Sequence, residues 1–475
     1  MRLRFLAFVL AVSFASVAQA PPGTPKPSTG APGDKAGRND PFGTQGEKAD
    51  KNKSAAEQAA ENRKPLIEHI TITGNKHTVE ALVRRSMIIH EGRELDDESI
   101  RASRIRLLQT GAFSDVQVET EPSARRGFVD VKVTVTERNP YFATDLFYGS
   151  TAMTGFFGGF GAADANLAGL GLGLSVEALY GTNFQRALRV SLYEPTFRLF
   201  DETFVAGVEE LLERGVENSC GNPDCLALDS RLRYTRAQTQ VNVGVRNAAY
   251  DRFLFGYRID VLNAFQEGPD GVNAPFINHG HSDISALTFE FDRDSRDETF
   301  LPTRGSRIQA YLTFSSKAIG SDYEYSRYLL QLEQWFPQSG GRAFRIDAVA
   351  GAVQGNAPFF DRFYVADWSF FNVGSATARA LELNFSPDPR YDDILGVLGA
   401  EYDIPLWRTE FLHIKRAYVA FGGRFVYSEA TPGAGRDPLS KTPFSADIAF
   451  RLDTPIGLVN FSVAFLADSL LKHVL

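Results

Sequence analysis

The segment Arg236–Arg246 reads RAQTQVNVGVR and alternates polar and mostly apolar side chains along its length. Successive residues of a β-strand point to opposite faces, so this period of two predicts a strand with one apolar face. The same period returns in Arg307–Phe314, Phe444–Asp453 and Val459–Phe465. From Tyr141 onward such segments are about ten residues long, which is typical of transmembrane barrel strands. We therefore expect a mostly β protein built on an antiparallel barrel of about 16 strands.

Composition supports this fold class. The 475 residues include 38 Phe and 41 Gly but only 3 Met. At roughly 150 residues per domain, length alone would allow about three domains. After the first twenty residues, no run approaches the roughly 18 apolar residues that a membrane helix requires. The net charge of −8 argues against nucleic acid as a partner.

The connection lengths separate a membrane barrel from a soluble sandwich, because only the barrel alternates short turns with long outer loops. Counted from Phe142, the even-numbered connections are short. The long, odd-numbered ones are Gly215–Ser230, Gln266–Ser282, Asn356–Asp393 and Ser428–Thr442. This alternation holds through fifteen strands. An even strand number predicts one more, for which Ala467–Leu475 is a poor candidate because it lacks clean alternation and a terminal aromatic residue.

The N-terminus predicts export. Arg2 and Arg4 precede the apolar run Phe5–Ala18, and small residues stand at Ala18 and Ala20. Residues 1–20 are therefore predicted to be a signal peptide. Residues 21–64, rich in Pro, Gly, Lys and Ala, are predicted to be a disordered linker.

Residues 65–138 have a different pattern and precede a barrel predicted over 140–475. Thr78 and Asp96 are predicted to cap two helices. The expected order is strand Ile67–Thr73, helix Val79–Ile88, helix Asp97–Gln109 and strands Val116–Glu119 and Val129–Thr136. This order predicts a small α+β domain with one core.

The remaining chemistry-bearing residues favour structural roles. Cys220 and Cys225 lie in NSCGNPDC, where a small disulfide is favoured over a metal site because no His lies nearby. The seven His are scattered, and no G-x-S-x-G elbow occurs. We therefore expect no enzyme activity, no metal and no cofactor.

The segment Phe291–Gln309, FDRDSRDETFLPTRGSRIQ, predicts a short turn. Pro302 fixes one backbone angle and Gly305 permits a left-handed one, which suits a chain reversal. The turn's charged positions admit two interpretations: a solvated surface, favoured for any single residue, or paired charges at the barrel rim. They are Asp292, Arg293, Asp294, Arg296 and Asp297, and Arg304 belongs to the same turn motif.

Together with four other motifs, this turn resembles the BamA/TamA family of outer-membrane assembly factors, of the bacterial surface antigen type. The motifs are Gly74-Asn75, TGAFSDVQV at Thr110–Val118, GAEYDIPL at Gly399–Leu406 and LDTPIG at Leu452–Gly457. The resemblance covers Pro65 to about Phe465 and implies one periplasmic POTRA domain before a sixteen-stranded barrel. It places the protein in the outer membrane of a Gram-negative bacterium.

The resemblance also implies a function. The expected function is insertion, assembly or translocation of unfolded β-rich client proteins by a POTRA-like domain and a lumen-plugged barrel. Expected partners are those clients, outer-membrane lipids, and periplasmic or lipoprotein subunits. A dedicated exporter or channel for few partners is the alternative, because general assembly factors of the family usually have more POTRA domains.

The long loop Asn356–Asp393 would be the sixth outer loop, which in the family folds into the lumen. The family's V-R-G-[FY] tip matches Arg379, Ala380 and Leu381, so the arginine is kept and its two neighbours differ. The family's acidic wall residue falls at Ala420. By strand parity Glu401 and Asp447 are substitute partners for Arg379; the alternative is that Arg379 lies in water.

Overall fold

The computed structural model describes residues 64–151, 155–182, 184–199, 202–218, 231–247, 250–267, 277–278, 280–298, 301–364, 391–407, 414, 416–429, 444–454 and 457–467. All of them belong to one compact unit, Lys64–Leu475. The predicted signal peptide, the predicted linker except Lys64, both cysteines, the loop tip at Arg379 and the tail 468–475 lie outside the described residues. Predictions about these parts stay predictions.

The N-terminal part is a three-stranded sheet covered by two helices. Its elements are β1 (Leu66–Thr73), α1 (Glu80–Ser86), α2 (Asp97–Gln109), β2 (Phe113–Pro122) and β3 (Phe128–Glu137). The sheet order is β1-β3-β2, with β1 parallel and β2 antiparallel to the central β3. Leu82, Leu107, Phe113 and Val133 are buried between sheet and helices. Their burial supplies the apolar stabilisation of this small domain.

The cap predicted for α2 is present. The Asp96 carboxylate accepts a hydrogen bond from the Ser99 backbone N–H at 2.7 Å, and Ser99 Oγ accepts from the Asp96 N–H at 3.3 Å. This reciprocal pair satisfies donors that the first helical turn leaves open. A hydrogen bond from the Lys64 ammonium, followed by those from Ser99, lowers the pKa of Asp96 to about 2.

The cap predicted for α1 was wrong. Val79 occupies the N-cap position, and no side chain caps the helix there. Thr78 instead accepts a hydrogen bond at Oγ1 from the Asn166 amide at 2.8 Å, and its N–H donates to Glu137 Oε1 at 2.6 Å. Partners distant in sequence therefore take the groups that a local cap would have used.

The rest of the chain is one antiparallel sheet, which has fifteen strands within the described residues. Its strands are β4 (Tyr141–Thr151), β5 (Gly155–Leu167), β6 (Leu172–Gly181), β7 (Arg186–Leu199), β8 (Glu202–Asn218), β9 (Arg231–Asn247), β10 (Asp251–Glu267), β11 (Gly280–Asp294), β12 (Gly305–Ser315), β13 (Tyr325–Pro337), β14 (Ala343–Gly355), β17 (Ile394–Trp407), β18 (Arg416–Glu429), β19 (Phe444–Thr454) and β20 (Gly457–Ala467). A separate hairpin, β15 (Phe363–Tyr364) with β16 (Tyr391–Asp392), lies within the long loop between β14 and β17.

The two end strands of this sheet do not pair. Cα atoms of β4 and β20 come within 8 Å of each other. Among the described residues, however, the sheet order ends at these two strands, with no ladder joining them. The expected sixteenth strand would have to come from residues 468–475, outside the described residues. We call the β4–β20 boundary the seam.

The two faces of the sheet have opposite polarity. Outward-facing Phe253, Phe255 and Ile259 on β10 are 45%, 48% and 41% exposed. Arg258 and Asp260, on either side of Ile259, are buried on the opposite face. An apolar outside and a polar inside are the arrangement of a membrane barrel, whereas a sandwich buries its apolar face.

Within the described residues, no helix is long and apolar enough to cross a membrane.

We expect Leu107→Ala to destabilise the N-terminal domain by about 3 kcal/mol, because it leaves a cavity at a fully buried position. The measurement is amide hydrogen exchange of β1–β3 in the full-length protein. Leu108→Ala, the same truncation at a partly buried neighbour, is the control and should cost less. Equal losses for the two variants would contradict the core described above.

Candidate functional site: lumen, rim and docked domain

The long loop enters the barrel interior immediately after β14. Phe359, Phe360 and Phe363 are all buried. The Phe359 ring packs edge-on against Tyr234 of β9, with ring centroids 5.1 Å apart. A Cβ added to Gly351 of β14 would lie 2.3 Å from the Phe363 ring, so only glycine leaves room for that side chain. The start of the loop thus lies in the lumen, as the family resemblance implied for the loop, whose residues 365–390 lie outside the described residues.

An ion pair binds this segment to the wall. Arg258 of β10 donates to the two oxygens of the Asp361 carboxylate at 3.0 and 2.5 Å. The Tyr325 hydroxyl donates to the same carboxylate at 2.5 Å. Arg258 is also 2.8 Å from Asp260 on its own strand. Bidentate Arg–carboxylate pairs are among the stronger polar contacts in proteins, and the buried side chains here keep water away from this one.

A second wall arginine holds the aromatic part of the segment. The guanidinium of Arg236 on β9 lies 3.9 Å from the centroid of the Phe360 ring. It is fixed by Asp260 at 2.7 Å and by the Gln238 carbonyl at 2.6 Å. A desolvated cation over a ring is worth about 2 kcal/mol. We call Arg236, Arg258, Tyr325, Phe360 and Asp361 the lumen clasp.

The two residues proposed as partners of Arg379 face the lumen and already lie beside wall arginines. Glu401 accepts from both terminal nitrogens of Arg451 at 2.7 and 2.6 Å. It also lies 3.2 Å from Arg345. Asp447 lies 3.7 Å from Arg424. Arg379, Ala380 and Leu381 lie outside the described residues, so their contact with this wall stays a prediction.

Sequence reasoning missed the lumen clasp. The sequence contained an indication of it, because Asp361 and Arg362 are the two charged residues in the otherwise apolar segment PFFDRF, Pro358–Phe363. Charges inside an apolar segment require partners. The identity of the partner was not readable, since Arg258 lies 103 positions away.

At the opposite rim, the turn between β11 and β12 is an array of paired charges. Asp292 is buried and accepts from Arg252 at 3.0 Å and Arg307 at 3.1 Å. Asp294 pairs with Arg296 at 2.6 Å. Among these residues the rim-pairing interpretation therefore describes the geometry better than the solvated one.

The same turn depends on its glycine. Gly305 adopts φ +107°, and an added Cβ would lie 2.4 Å from the Ser295 carbonyl oxygen. Asp297 closes the reversal by accepting from Thr303 at its N–H and hydroxyl, at 2.9 and 2.7 Å. Pro302 is half-buried beside this loop, whereas Arg304 is exposed.

The N-terminal domain docks on this rim. Arg85 of α1 pairs with Glu194 of β7 at 3.0 Å and donates to the Leu170 carbonyl in the β5–β6 turn at 2.8 Å. The Tyr250 hydroxyl in the β9–β10 turn donates to Glu98 of α2 at 2.7 Å. The side of the barrel with short turns is therefore the side that carries the domain.

Two glycines permit this close docking. A Cβ on Gly169 would lie 2.2 Å from the His77 carbonyl oxygen, and one on Gly171 would lie 2.5 Å from a Leu82 methyl group. Both residues have positive φ, at 75° and 78°. The β5–β6 turn thus presents bare backbone to the domain, and the Val79 N–H donates to the Gly169 carbonyl at 3.0 Å.

The outer edge of β2 is open. The Val116 carbonyl accepts from Arg104 outside the sheet at 2.9 Å, while the Ser123 N–H donates inward to Phe128 at 3.2 Å. By the alternation of an antiparallel ladder, the backbone groups of Val118 and Thr120 also point outward. Within the described residues, no hydrogen bond occupies these outward groups.

Comparison with known proteins agrees with this geometry. A family profile described as "Omp85 superfamily domain" matches residues 166–469, and one described as "Surface antigen variable number repeat", a POTRA profile, matches residues 65–138. The chain is similar to "Outer membrane protein assembly factor BamA" of Nitratidesulfovibrio vulgaris, with 25% identity over 311 residues, 64% of this chain and 37% of that protein.

It is likewise similar to the protein of that name from Neisseria meningitidis serogroup B, with 26% identity over 327 residues, 64% of this chain and 39% of that protein. The chain spans less than half the length of the curated relatives it matches. Among solved structures, CdiB from Escherichia coli has a similar fold, with a TM-score of 0.58 at 11% identity, covering 85% of this chain and 73% of that chain.

A polar-lined sheet with an apolar outside, bearing a POTRA domain at its short-turn rim, defines an outer-membrane β-barrel protein whose N-terminal domain is periplasmic. The chain belongs to the Omp85 superfamily. The resemblance to the BamA-type family is thereby confirmed.

We expect Asp361→Asn to lower the free energy of unfolding of the barrel by about 3 kcal/mol, because it leaves buried Arg258 without its full counter-charge. The measurement is urea unfolding in detergent micelles. The double variant with Arg258→Gln should lose less than the sum of the single losses. Arg293→Gln, which breaks an exposed pair with Asp251, is the control and should cost under about 1 kcal/mol. Strictly additive losses at Asp361 and Arg258 would refute the clasp.

The His77–Thr78 segment of the N-terminal domain should loosen in acid through Glu137. Burial opposes its ionisation, but hydrogen bonds from Thr78 and His77 outweigh that cost and hold its pKa below the usual 4.5. A carboxyl with a lowered folded-state pKa stabilises the fold above its unfolded value, and this contribution disappears as pH falls through the folded value.

We therefore expect the hydrogen-exchange protection factors of the His77 and Thr78 amides to fall as the pH drops below about 4.5. Glu137→Gln should show lower protection at neutral pH and a flatter pH response. An unchanged pH response in this variant would assign the effect to other groups.

Proposed function

We propose that this chain assists the insertion of unfolded β-rich client proteins into the outer membrane. The observation that carries the proposal is the seam, where β4 and β20 lie close together without a shared ladder. Unpaired strand edges are templates for another strand. In hydrocarbon they are also costly, because lipid cannot hydrogen-bond to the backbone.

A client strand pairing at the seam would satisfy these backbone groups. The seam thus gives a client a place to fold against while it leaves the periplasm. The relatives named assembly factors support this proposal, although this chain matches less than half of their length.

The POTRA domain supplies a second strand edge on the way to the seam. The outward groups of Val118 and Thr120 suit strand addition, in which main-chain hydrogen bonds give affinity and side chains contribute little. Pro122, which lacks an N–H, limits the open edge to a short stretch. Such an edge fits brief capture of many sequences rather than tight binding of one.

We expect Thr120→Pro to reduce client capture, because proline removes the outward N–H without touching the ladder to β3. Crosslinking of unfolded outer-membrane protein to the domain should fall several-fold. Thr120→Ala, which keeps the N–H, is the matched control and should behave as wild type. Equal loss in both variants would point to the side chain and exclude strand addition at this edge.

The cellular test is depletion of the protein followed by quantification of outer-membrane proteins. We expect the levels of many unrelated barrel proteins to fall together. Unchanged levels across that proteome would exclude a general assembly role. Loss of one or two secreted partners alone would favour the second candidate.

The second candidate is a dedicated exporter or channel of the same barrel type. The fold similarity to CdiB from Escherichia coli supports this candidate. The lumen clasp provides the discriminating measurement, because a plugged barrel conducts little in planar bilayers. Asp361→Asn should raise conductance if the loop is the gate of an exporter, and should leave it low if the loop is a permanent plug.

A further inference from the structure

The outer surface of the barrel carries a groove of about 590 Å³ across β7, β8, β9 and β10. The groove lies at the ends of these strands that are far from the docked domain. Two rows of outward side chains line it, aligned by the ladder register, and the buried residues Ala187, Glu213 and Arg236 of the opposite face complete its lining. The apolar row is Leu188, Leu212, Ala237 and Val261, and the polar row, one step further from the domain, is Arg186, Arg214, Thr235 and Asn263.

The height of the polar row matches the edge of the membrane. Phe253 and Phe291, with ring centroids 4.9 Å apart, lie near the rim that carries the domain. Asn263 follows Phe253 by ten positions on β10. At about 3.3 Å per residue and about 40° of tilt, that distance is about 25 Å along the membrane normal. The apolar band of an outer-membrane barrel has this height, so the arginine row meets the headgroups of the outer leaflet.

In the part of the chain that the structure describes, Arg186 and Arg214 have no counter-charge. Arg186 and Arg214 are directly opposite each other in the β7–β8 ladder, where like charges repel. Within the described residues, no carboxylate lies within 4.0 Å of either guanidinium. Each instead lies over an aromatic ring, Arg186 at 4.8 Å from the Tyr180 centroid and Arg214 at 5.9 Å from that of Phe184.

Glu210, the nearest outward carboxylate along β8, forms no ion pair with Arg186 or Arg214 in the part of the chain that the structure describes. Glu210 lies two positions before Leu212 and accepts a hydrogen bond from the Thr239 hydroxyl at 2.9 Å. The lumen arginines Arg236, Arg258 and Arg451, by contrast, each have a carboxylate within 3.0 Å. Among the described residues, these two adjacent outward cations have no anion, which favours an anion supplied by a ligand.

We propose that this groove binds a phosphorylated acyl lipid of the outer leaflet. Its phosphate lies between Arg186 and Arg214, whose guanidinium groups match phosphate oxygens bidentately. An acyl chain lies below, against the exposed side chains of Leu212 and Val261, where small Ala237 leaves the space. The volume suits the headgroup-proximal part of one lipid.

The first test removes the charges. The probe is fluorescent lipid A, titrated into the purified full-length protein in neutral detergent. We expect R186Q/R214Q to bind it about 25-fold more weakly, because each arginine near a membrane surface contributes about a factor of five. R125Q/R126Q removes two exposed arginines from the β2–β3 connection and is the matched control. Its affinity should equal that of wild type.

The second test fills the groove. Ala237→Phe places a ring in the space assigned to the acyl chain and should weaken lipid A binding several-fold. Val241→Phe, on the same face of β9 but two rows closer to the domain, is outside the groove and should bind normally. An unchanged heat-modifiability shift on gel electrophoresis shows that each variant forms its barrel.

Three outcomes would overturn the proposal. R186Q/R214Q binding as tightly as its control would exclude the arginine pair. Equal binding of dephosphorylated lipid A would exclude phosphate recognition. Displacement of lipid A by inorganic phosphate at the same concentration would reduce the site to one for a free anion. Weak binding in R186Q/R214Q and Ala237→Phe, with both controls intact, would support it.

Discussion

Backbone hydrogen bonding in a medium without water is the constraint on which this structure depends. Lipid offers no donors or acceptors, so a strand can cross only if both of its neighbours pair with it. Thirteen of the fifteen described barrel strands meet this condition on both sides. The other two meet at the seam, which makes it the least satisfied part of the wall and the natural place for another strand to add.

The polar lumen follows from the same closure. Side chains of a barrel strand alternate between the outer and the inner face. When the outer face is apolar, the polar side chains lie on the inner face, where they are close together. Charges placed there are stable only in pairs, which accounts for the Glu401–Arg451 and Asp361–Arg258 contacts. In the lumen clasp the loop contributes the carboxylate of Asp361, and the barrel wall contributes Arg236 and Arg258. This is the reverse of the polarity expected at the loop tip, where Arg379 would supply the cation.

Strand alternation and helix-capping patterns correctly predicted features that depend on residues close together in the sequence. The alternation in Arg236–Arg246 identified a strand and its faces correctly, and Asp96 capped its helix as expected. Long-range polar partners were not predictable. Thr78 bonds to Asn166 from 88 positions away, and this contact overrode a plausible local cap. The clasp required knowing that β10 and the loop face one another inside the barrel, which periodicity alone cannot specify.

The docking of the periplasmic domain has a mechanical consequence. The domain bonds to the β5–β6 turn through Gly169, and only residues 138–140 separate β3 from the first barrel strand. The domain is therefore connected directly to β4, one of the two strands that form the seam. A small tilt of the domain, for example when a client binds to β2, would move β4 as well, because the connection between them is only three residues long. Under the proposed function, capture of a client on β2 and separation of β4 from β20 would then be coupled.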